Sequence, residues 1–337
     1  MIKWLLCVAL SLLGVIALFE ARRKEEVRIL VYHRVSPYRN DDGMTTSQTV
    51  FDAQLRYLRK NYSVVSLDEV AEMLRGECPM RRGLIALTFD DGYRDNYTRA
   101  WPILAHYGMP ATIFVTVGLL EGGRLLWTDE IRAAVLGASC AALDLQAMGW
   151  GSWPLRTDAE KLVFLQVVKQ RLKALPDAER QRRLREILQR LGSQKKTGVH
   201  EQMLTWDMAR EMSKGGMAIG AHSVSHRILT KIRPQEVEWE IRESKHRLEQ
   251  RLGEPVRHFA YPNGTCDDWN PEIQTVVKQA GFETACTAIC GANQVGHDVY
   301  ALRRLDVTDV GCTDPLGRFS PAMYAAQLAG LFGRWEQ

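Results

Sequence analysis

The chain reads as a parallel α/β protein of about seven strand–helix units, broken by a helical insertion and preceded by an apolar N-terminal segment. Three observations point there. Short apolar runs alternate with amphipathic stretches of roughly a dozen residues, the rhythm of parallel strands joined by crossover helices. Chemistry-bearing residues stand just past the ends of these runs, at His33, Asp90-Asp91, and His222 with His226. That is where parallel α/β proteins gather their sites. The rhythm stops near Gly118 and returns near Leu204, with a wholly helical pattern between.

Composition narrows the class. A chain of 337 residues can bury one large core or two modest ones. The net charge of +4 is small, and no basic stripe is interleaved with aromatics, so nucleic acid is not an expected partner. Seven cysteines at irregular spacing form neither a zinc-ribbon pattern nor an even disulfide framework, and favour a reducing compartment. The four-residue spacing of Cys286 and Cys290 says little by itself.

In chain order, Ile2 to Phe19 is almost wholly apolar, interrupted by Lys3, Ser11 and Gly14. About 18 apolar residues can span a bilayer. Phe19-Glu20-Ala21 lacks the small residues of a cleavage site, so residues 1–21 are expected as an uncleaved transmembrane anchor in a bacterial inner membrane. Arg22, Arg23 and Lys24 after it favour a cytoplasmic folded domain. A signal-anchor with the domain outside is the rival, and the sequence leaves the side undecided. Val27 to Tyr32 is a strand, Phe51 to Lys60 has helical spacing, and Tyr62 to Val65 is strand-like. Ser66 and Glu69 form a capping box for a helix closed by Gly76. Leu84 to Phe89 is a strand, Tyr97 to Tyr107 a helix ended by Gly108, and Ala111 to Val117 a strand.

The insertion, about 118–198, carries two amphipathic helices, Thr157 to Leu175 and Asp177 to Leu191, separated by Pro176. Thr157 and Glu160 cap the first. The arginine-rich outer face of the second reads as a solvated surface, with anionic lipid as the alternative. The whole segment is expected to sit over the barrel, as a lid. Trp127, Trp150 and Trp153 pack or stack on sugar rings. Thr205 then caps a helix through Met212, and Met217 to Ala221 is a strand. Pro234 to Leu252 is a helix and Val256 to Tyr261 a strand. Helix Pro271 to Ala280 and strands Glu283 to Thr287 and Val299 to Val307 complete the units. The tail, 311–337, is expected to be helical.

A buried strand ending in Asp90-Asp91-Gly92 brings two carboxylates together at the rim of a core, where each raises the cost of the other. An Asp-Gly turn is the bland explanation; a cation is the sharper one. His222 and His226, at i and i+4, face one way if their segment is helical and can then share a metal. His33 alone would read as a packed surface residue, but its place at a strand end joins it to the same rim.

Thr88-Phe89-Asp90-Asp91-Gly92, His222-x-x-x-His226 and Tyr261-Pro262-Asn263-Gly264 resemble the first three motifs of the polysaccharide deacetylase (NodB-homology) family of carbohydrate esterases. The likeness covers most of 27–310. It implies a distorted (β/α)7 barrel and one divalent metal, Zn2+ by default with Ni2+, Co2+ or Fe2+ as alternatives, held by Asp91, His222 and His226. It implies Asp90 as the base and the backbone N–H of Asn263 as an oxyanion donor. Two departures stand out. Ala260 occupies the place of the usual motif-three arginine, and no late Leu-x-x-His supplies an acid. Leu30-Val31-Tyr32-His33-Arg34-Val35 resembles the permuted branch, which implies His33 as the acid. Arg303 or Arg304, with more weight on Arg304, would replace the arginine beside Asp90. Tyr261, Pro262 and Trp127 are candidate substrate contacts. The expected activity is removal of N-acetyl groups from N-acetylhexosamine in a polysaccharide or lipid-linked envelope glycan. An O-acetyl esterase and a silent glycan-binding barrel are the rivals.

Overall fold

The computed structural model describes residues 1–21, 25–39, 43–122, 125–192 and 202–331. Seven strands form the frame: β1 (Val27–Tyr32), β2 (Leu84–Phe89), β3 (Thr112–Val115), β4 (Ala218–Ala221), β5 (His258–Ala260), β6 (Thr284–Cys290) and β7 (Leu302–Asp306). All are parallel and adjacent in chain order, and β1 pairs with both β2 and β7, which closes a seven-stranded barrel. A short strand, Ser63–Val65, pairs with the first half of β2 while β3 takes its second half.

Strand periodicity sorts the side chains into two layers. Val27 and Ile29 of β1, Leu84 and Ala86 of β2, Phe114, Ala260, Cys286 and Leu302 form one buried cluster inside the ring. Leu30, Tyr32, Ile85, Leu87, Phe89 and Ile113 point the other way and pack under the outer helices. Both faces are covered, which is why β1 and β2 are buried at every residue and apolar apart from Arg28 and Thr88. Continued toward the carboxyl ends, the inward row becomes Val31, Thr88, Asp90, Arg304 and Asp306. The strand period therefore decides that Arg304, and not Arg303, enters the barrel.

The helices follow in order. At the N-terminus are α1 (Ile2–Leu12) and α2 (Val15–Ala21); around the first half of the barrel are α3 (Gln48–Asn61), α4 (Leu67–Arg75) and α5 (Trp101–Tyr107). The insertion carries α6 (Trp127–Leu136), α7 (Asp158–Ala174) and α8 (Asp177–Arg190). The second half has α9 (Trp206–Lys214), α10 (Pro234–Leu252) and α11 (Pro271–Gln279), and the tail has α12 (Asp309–Cys312) and α13 (Pro321–Leu328). Capping boxes at Ser66/Glu69 and Thr157/Glu160 form as the sequence predicts. The helix predicted from Tyr97 differs: Asn96–Ala100 is a π-turn that leads into α5. Pro102 has no N–H to continue an α-pattern there.

The single spanning helix expected over 1–21 is not supported. No helix among the described residues is long and apolar enough to cross a membrane. The run breaks at Gly14, which takes a left-handed φ of 70°. The two short helices fold back so that Cys7 and Ile16 bury against Met323, Ala325, Ala326 and Ala329, and Glu20 pairs with Arg28 of β1. The basic flank Arg22 to Lys24, the insertion end 193–198 and the chain end 332–337 lie outside the described residues.

The insertion has its own core of Ile131, Val135, Leu143, Phe164, Leu165, Val168, Leu172, Leu184 and Ile187. Trp150 and Trp153 pack against that core, with Arg171 over both rings. A buried ion network fixes it to the barrel: Asp177 of α8 accepts from Arg180, Gln181 and Arg227, and Arg227 also reaches Glu236 of α10.

Candidate active site

The inward row opens into a cleft of about 570 Å³ at the carboxyl ends of the strands. Its walls bring together His33, Asp90, Asp91, His222, His226, Asn263 and Arg304, with α7 of the insertion opposite.

Asp90 and Arg304 form the floor. Nη1 and Nη2 of Arg304 donate to the two oxygens of Asp90 at 2.7 and 2.6 Å, a bidentate pair. Nε donates to the Thr287 carbonyl at 2.7 Å, which fixes the guanidinium plane. Burial alone raises the Asp90 carboxyl, but the adjacent Arg304 overrides it and holds the group below its ordinary value. Asp90 is thus ionised and rotationally locked. The arginine missing at Ala260 is supplied in space by β7.

Asp91, His222 and His226 converge beside this pair. One ligand atom from each lies within 4.8 Å of the others. Nε2 of His226 is 3.1 Å and Nε2 of His222 is 3.6 Å from Asp91 Oδ1. His222 Nδ1 is hydrogen-bonded to the Ala260 carbonyl at 2.8 Å, so its Nε2 is the nitrogen left for a ligand. Burial pushes His222 down to about 4, a neutral imidazole at physiological pH. For Asp91 burial acts upward, but the hydrogen bond from His226 overcomes it and the carboxyl lies well below the usual range. One carboxylate and two imidazoles make a borderline donor set that fits a divalent first-row cation. Among the described residues, this is the one group that could hold a metal.

The histidines meet for a reason other than the predicted one. Residues 222–226 are an irregular loop rather than a helical turn, so i,i+4 spacing does not align them. Left-handed backbone does. Among the described residues, the non-glycine positions with positive φ are Asp91 (75°), Ser223 (60°), His226 (55°) and Asn263 (59°), all at this site. Each such residue costs on the order of 1–2 kcal/mol, and strain of this kind concentrates where geometry serves function. Glu240 of α10 pins the loop: its fully buried carboxylate accepts from the Val224 and Ser225 N–H groups at 2.8 and 2.9 Å and from the Ser225 hydroxyl.

His33 lines the cleft with a buried Nδ1 that has no partner. Asn96, on the π-turn, donates to its carbonyl at 2.9 Å. The imidazole is within electrostatic reach of Asp90, Asp91 and Asp306. Asp306 shares the cleft with it. Sequence reading passed over Asp306 and Glu240; the strand period from Leu302 was the available signal for the first, whereas nothing local marks the second.

Three predicted substrate contacts lie elsewhere. Tyr261 is fully buried, stacked on Trp269, with its hydroxyl donating to the Tyr300 carbonyl at 3.0 Å. It is a core residue because it sits where the chain leaves β5 under α11. Pro262 does not line the cleft. Trp127 borders a separate cavity with Arg180 over its ring, turned there by the packing of α6 on α8. Asn263 does face the cleft, and its side-chain Nδ2 is buried without a partner.

The polysaccharide deacetylase profile matches residues 78–135 and 177–285, which leaves out all of α7 and the short hairpin Ala142–Asp144/Ser152–Pro154 before it. YxkH of Bacillus subtilis (strain 168), which carries a polysaccharide deacetylase name, is 22% identical over 87% of this chain and 75% of its own. The poly-β-1,6-N-acetyl-D-glucosamine N-deacetylase of Escherichia coli (strain K12) is 38% identical over a shorter stretch, 22% of this chain and 11% of its own. The fold resembles that of the Streptococcus pyogenes deacetylase PplD, solved with acetate, at a TM-score of 0.58 and 20% identity over 90% and 97% of the two chains. IcaB from Ammonifex degensii gives the same TM-score and identity over 93% and 97%. A barrel closed around these motifs, with the profile match and a relative aligned over most of the chain, makes this chain a member of the polysaccharide deacetylase family.

Proposed function

We propose that the protein is a metal-dependent N-deacetylase that hydrolyses the acetamide of an N-acetylhexosamine in a polysaccharide or lipid-linked glycan. The observation that carries this reading is a buried, arginine-locked carboxylate, Asp90, set against the Asp91–His222–His226 cluster. A silent binding barrel needs no such pair.

Asp91, His222 and His226 would hold one divalent cation, Zn2+ by default, which when bound supplies Lewis acidity to the scissile carbonyl and the nearby water. Asp90, ionised and oriented by Arg304, takes a proton from the attacking water as its oxygen adds to the carbonyl carbon. The backbone N–H of Asn263, presented by the left-handed turn before Gly264, stabilises the oxyanion. His33, protonated, gives its proton to the sugar nitrogen as the C–N bond breaks, releasing acetate and a free amine. Asp306 lines the same cleft as His33.

The reading also assigns the chain to the Tyr-His-Arg branch of the family and its work to a bacterial inner membrane. The second assignment rests on the apolar run Ile2–Phe19 and on exposed Leu5, Leu6, Leu12 and Leu13; fractionation with and without residues 1–21 tests it. The chemistry is tested by His33→Ala on matched acetamide and acetyl-ester sugars. Alkoxide leaves without an acid far better than an amide ion, so the amide rate should fall by about 10²-fold or more with the ester largely spared. Equal loss on both substrates removes His33 as the acid, and a wild type active on esters alone favours the O-acetyl esterase.

A further inference from the structure

Helix α7 has two faces. Phe164, Leu165, Val168 and Leu172 are buried in the insertion core. Gln166, Lys169, Gln170 and Lys173, at i, i+3, i+4 and i+7, form a second stripe, and all four line the active-site cleft. The family profile does not match these residues, so this wall belongs to the present chain's insertion.

Its charge is unusual for a helix surface. Lys169 and Lys173 are like charges at i,i+4, a spacing that destabilises a helix by about 0.2–0.5 kcal/mol. On the neighbouring α8 the arginines share their helix with acids: Arg182 and Arg183 pair with Glu179, and Arg190 with Glu186. The stripe itself has no carboxylate. Facing charges come from other elements: Asp129 of α6 lies within reach of Lys169, and Asp268 and Asp91 within reach of Lys173. Among the described residues Lys173 forms no salt bridge, Asp268 is already engaged by Thr265, and Asp91 belongs to the candidate metal cluster. Asp90 is matched by Arg304. The α7 side of the cleft therefore presents two ammonium groups and no carboxylate of its own, while Asp306 lines the cleft from β7.

We infer that the α7 wall recognises an acidic substituent, phosphate or carboxylate, carried by the glycan next to the acetylated sugar. The inference rests on the deacetylase reading and narrows its substrate class to an anionic glycan. Lys169 and Lys173 contact the anion, and the amides of Gln166 and Gln170 bond the neighbouring hydroxyls.

The experiment measures binding and acetate release by the full chain with three probes: methyl N-acetylglucosaminide, N-acetylglucosamine 1-phosphate and N-acetylmuramic acid. The wild type should prefer at least one acidic probe, and the preference should weaken between about 0.05 and 0.5 M salt. The variant Lys169→Gln/Lys173→Gln should lower the acidic-to-neutral affinity ratio by about tenfold, and Lys173→Glu should lower it as well. Phosphate-only dependence points to a phosphate-linked glycan, and carboxylate-only dependence to an acidic sugar. No preference in the wild type, or equal loss on all three probes, overturns the inference. Chelator-sensitive acetate release without the preference would leave the deacetylase intact. A lysine-dependent preference with no acetate from any probe would do the reverse.

Discussion

Replacing Arg304 with alanine removes the one cation that neutralises a catalytic candidate buried inside the barrel. Both side chains are nearly sealed, at 2% and 6% exposure, and they share two bonds of 2.7 and 2.6 Å. Truncation leaves an ionised carboxylate in low dielectric, a change that typically costs about 3–5 kcal/mol. The folded pKa of Asp90 then rises, because the largest opposition to burial is gone. In the native protein that pKa is depressed, so its stabilisation is present above the unfolded value near 4 and lost as pH falls through the folded one. The penalty in Arg304→Ala should therefore be largest near neutrality and shrink under acid. The acid limb of kcat/KM should move upward in pH, and kcat should fall. Denaturant unfolding of Arg304→Ala, Asp90→Asn and the double variant gives the coupling directly. A penalty below about 1 kcal/mol with an unmoved acid limb would refute the assigned role of Arg304.

Two further outcomes follow from the same geometry. Gly264 has φ 68°, and a Cβ there would stand 2.7 Å from the Ala288 nitrogen and 3.1 Å from the Tyr261 carbonyl oxygen, both backbone atoms. Gly264→Ala should cost about 1–3 kcal/mol in denaturation and reduce kcat by displacing Asn263; unchanged kcat would remove Asn263 from the oxyanion site. Metal-free protein should lose stability as pH falls from about 6.5 to about 4, because the unfolded chain protonates His222 there while burial keeps the folded form neutral. The slope should integrate to on the order of 3 kcal/mol and flatten in His222→Gln.

Much of this was legible in the chain. The strands at Val27–Tyr32 and Leu84–Phe89 announce themselves as apolar runs interrupted only by Arg28 and Thr88, since covering both faces leaves no polar alternation to blur them. The Asp90-Asp91 turn and the His222/His226 pair are equally visible. What local pattern could not reveal is long-range. The rationale for the histidine pair was helical, yet left-handed residues in a loop tied to Glu240 bring the rings together. Tyr261 looked like a rim residue because its motif neighbours are, but the strand period turns it into the core. The N-terminal run met the length criterion for a span, while Gly14 and the small residues of α13 gave it a place to fold back. The polar stripe of α7 was hidden because its lysines look like any solvated surface until the barrel is closed beneath them.

The most direct test of the central claim is acetate release from N-acetylglucosamine oligomers by the full chain, before and after chelation and after zinc is restored. The reading expects acetate and free amine in equal amounts, loss of both on chelation, recovery with zinc, and none from Asp90→Asn. Acetate that persists after the metal is stripped, or no acetate from protein with metal bound at Asp91, His222 and His226, would contradict it.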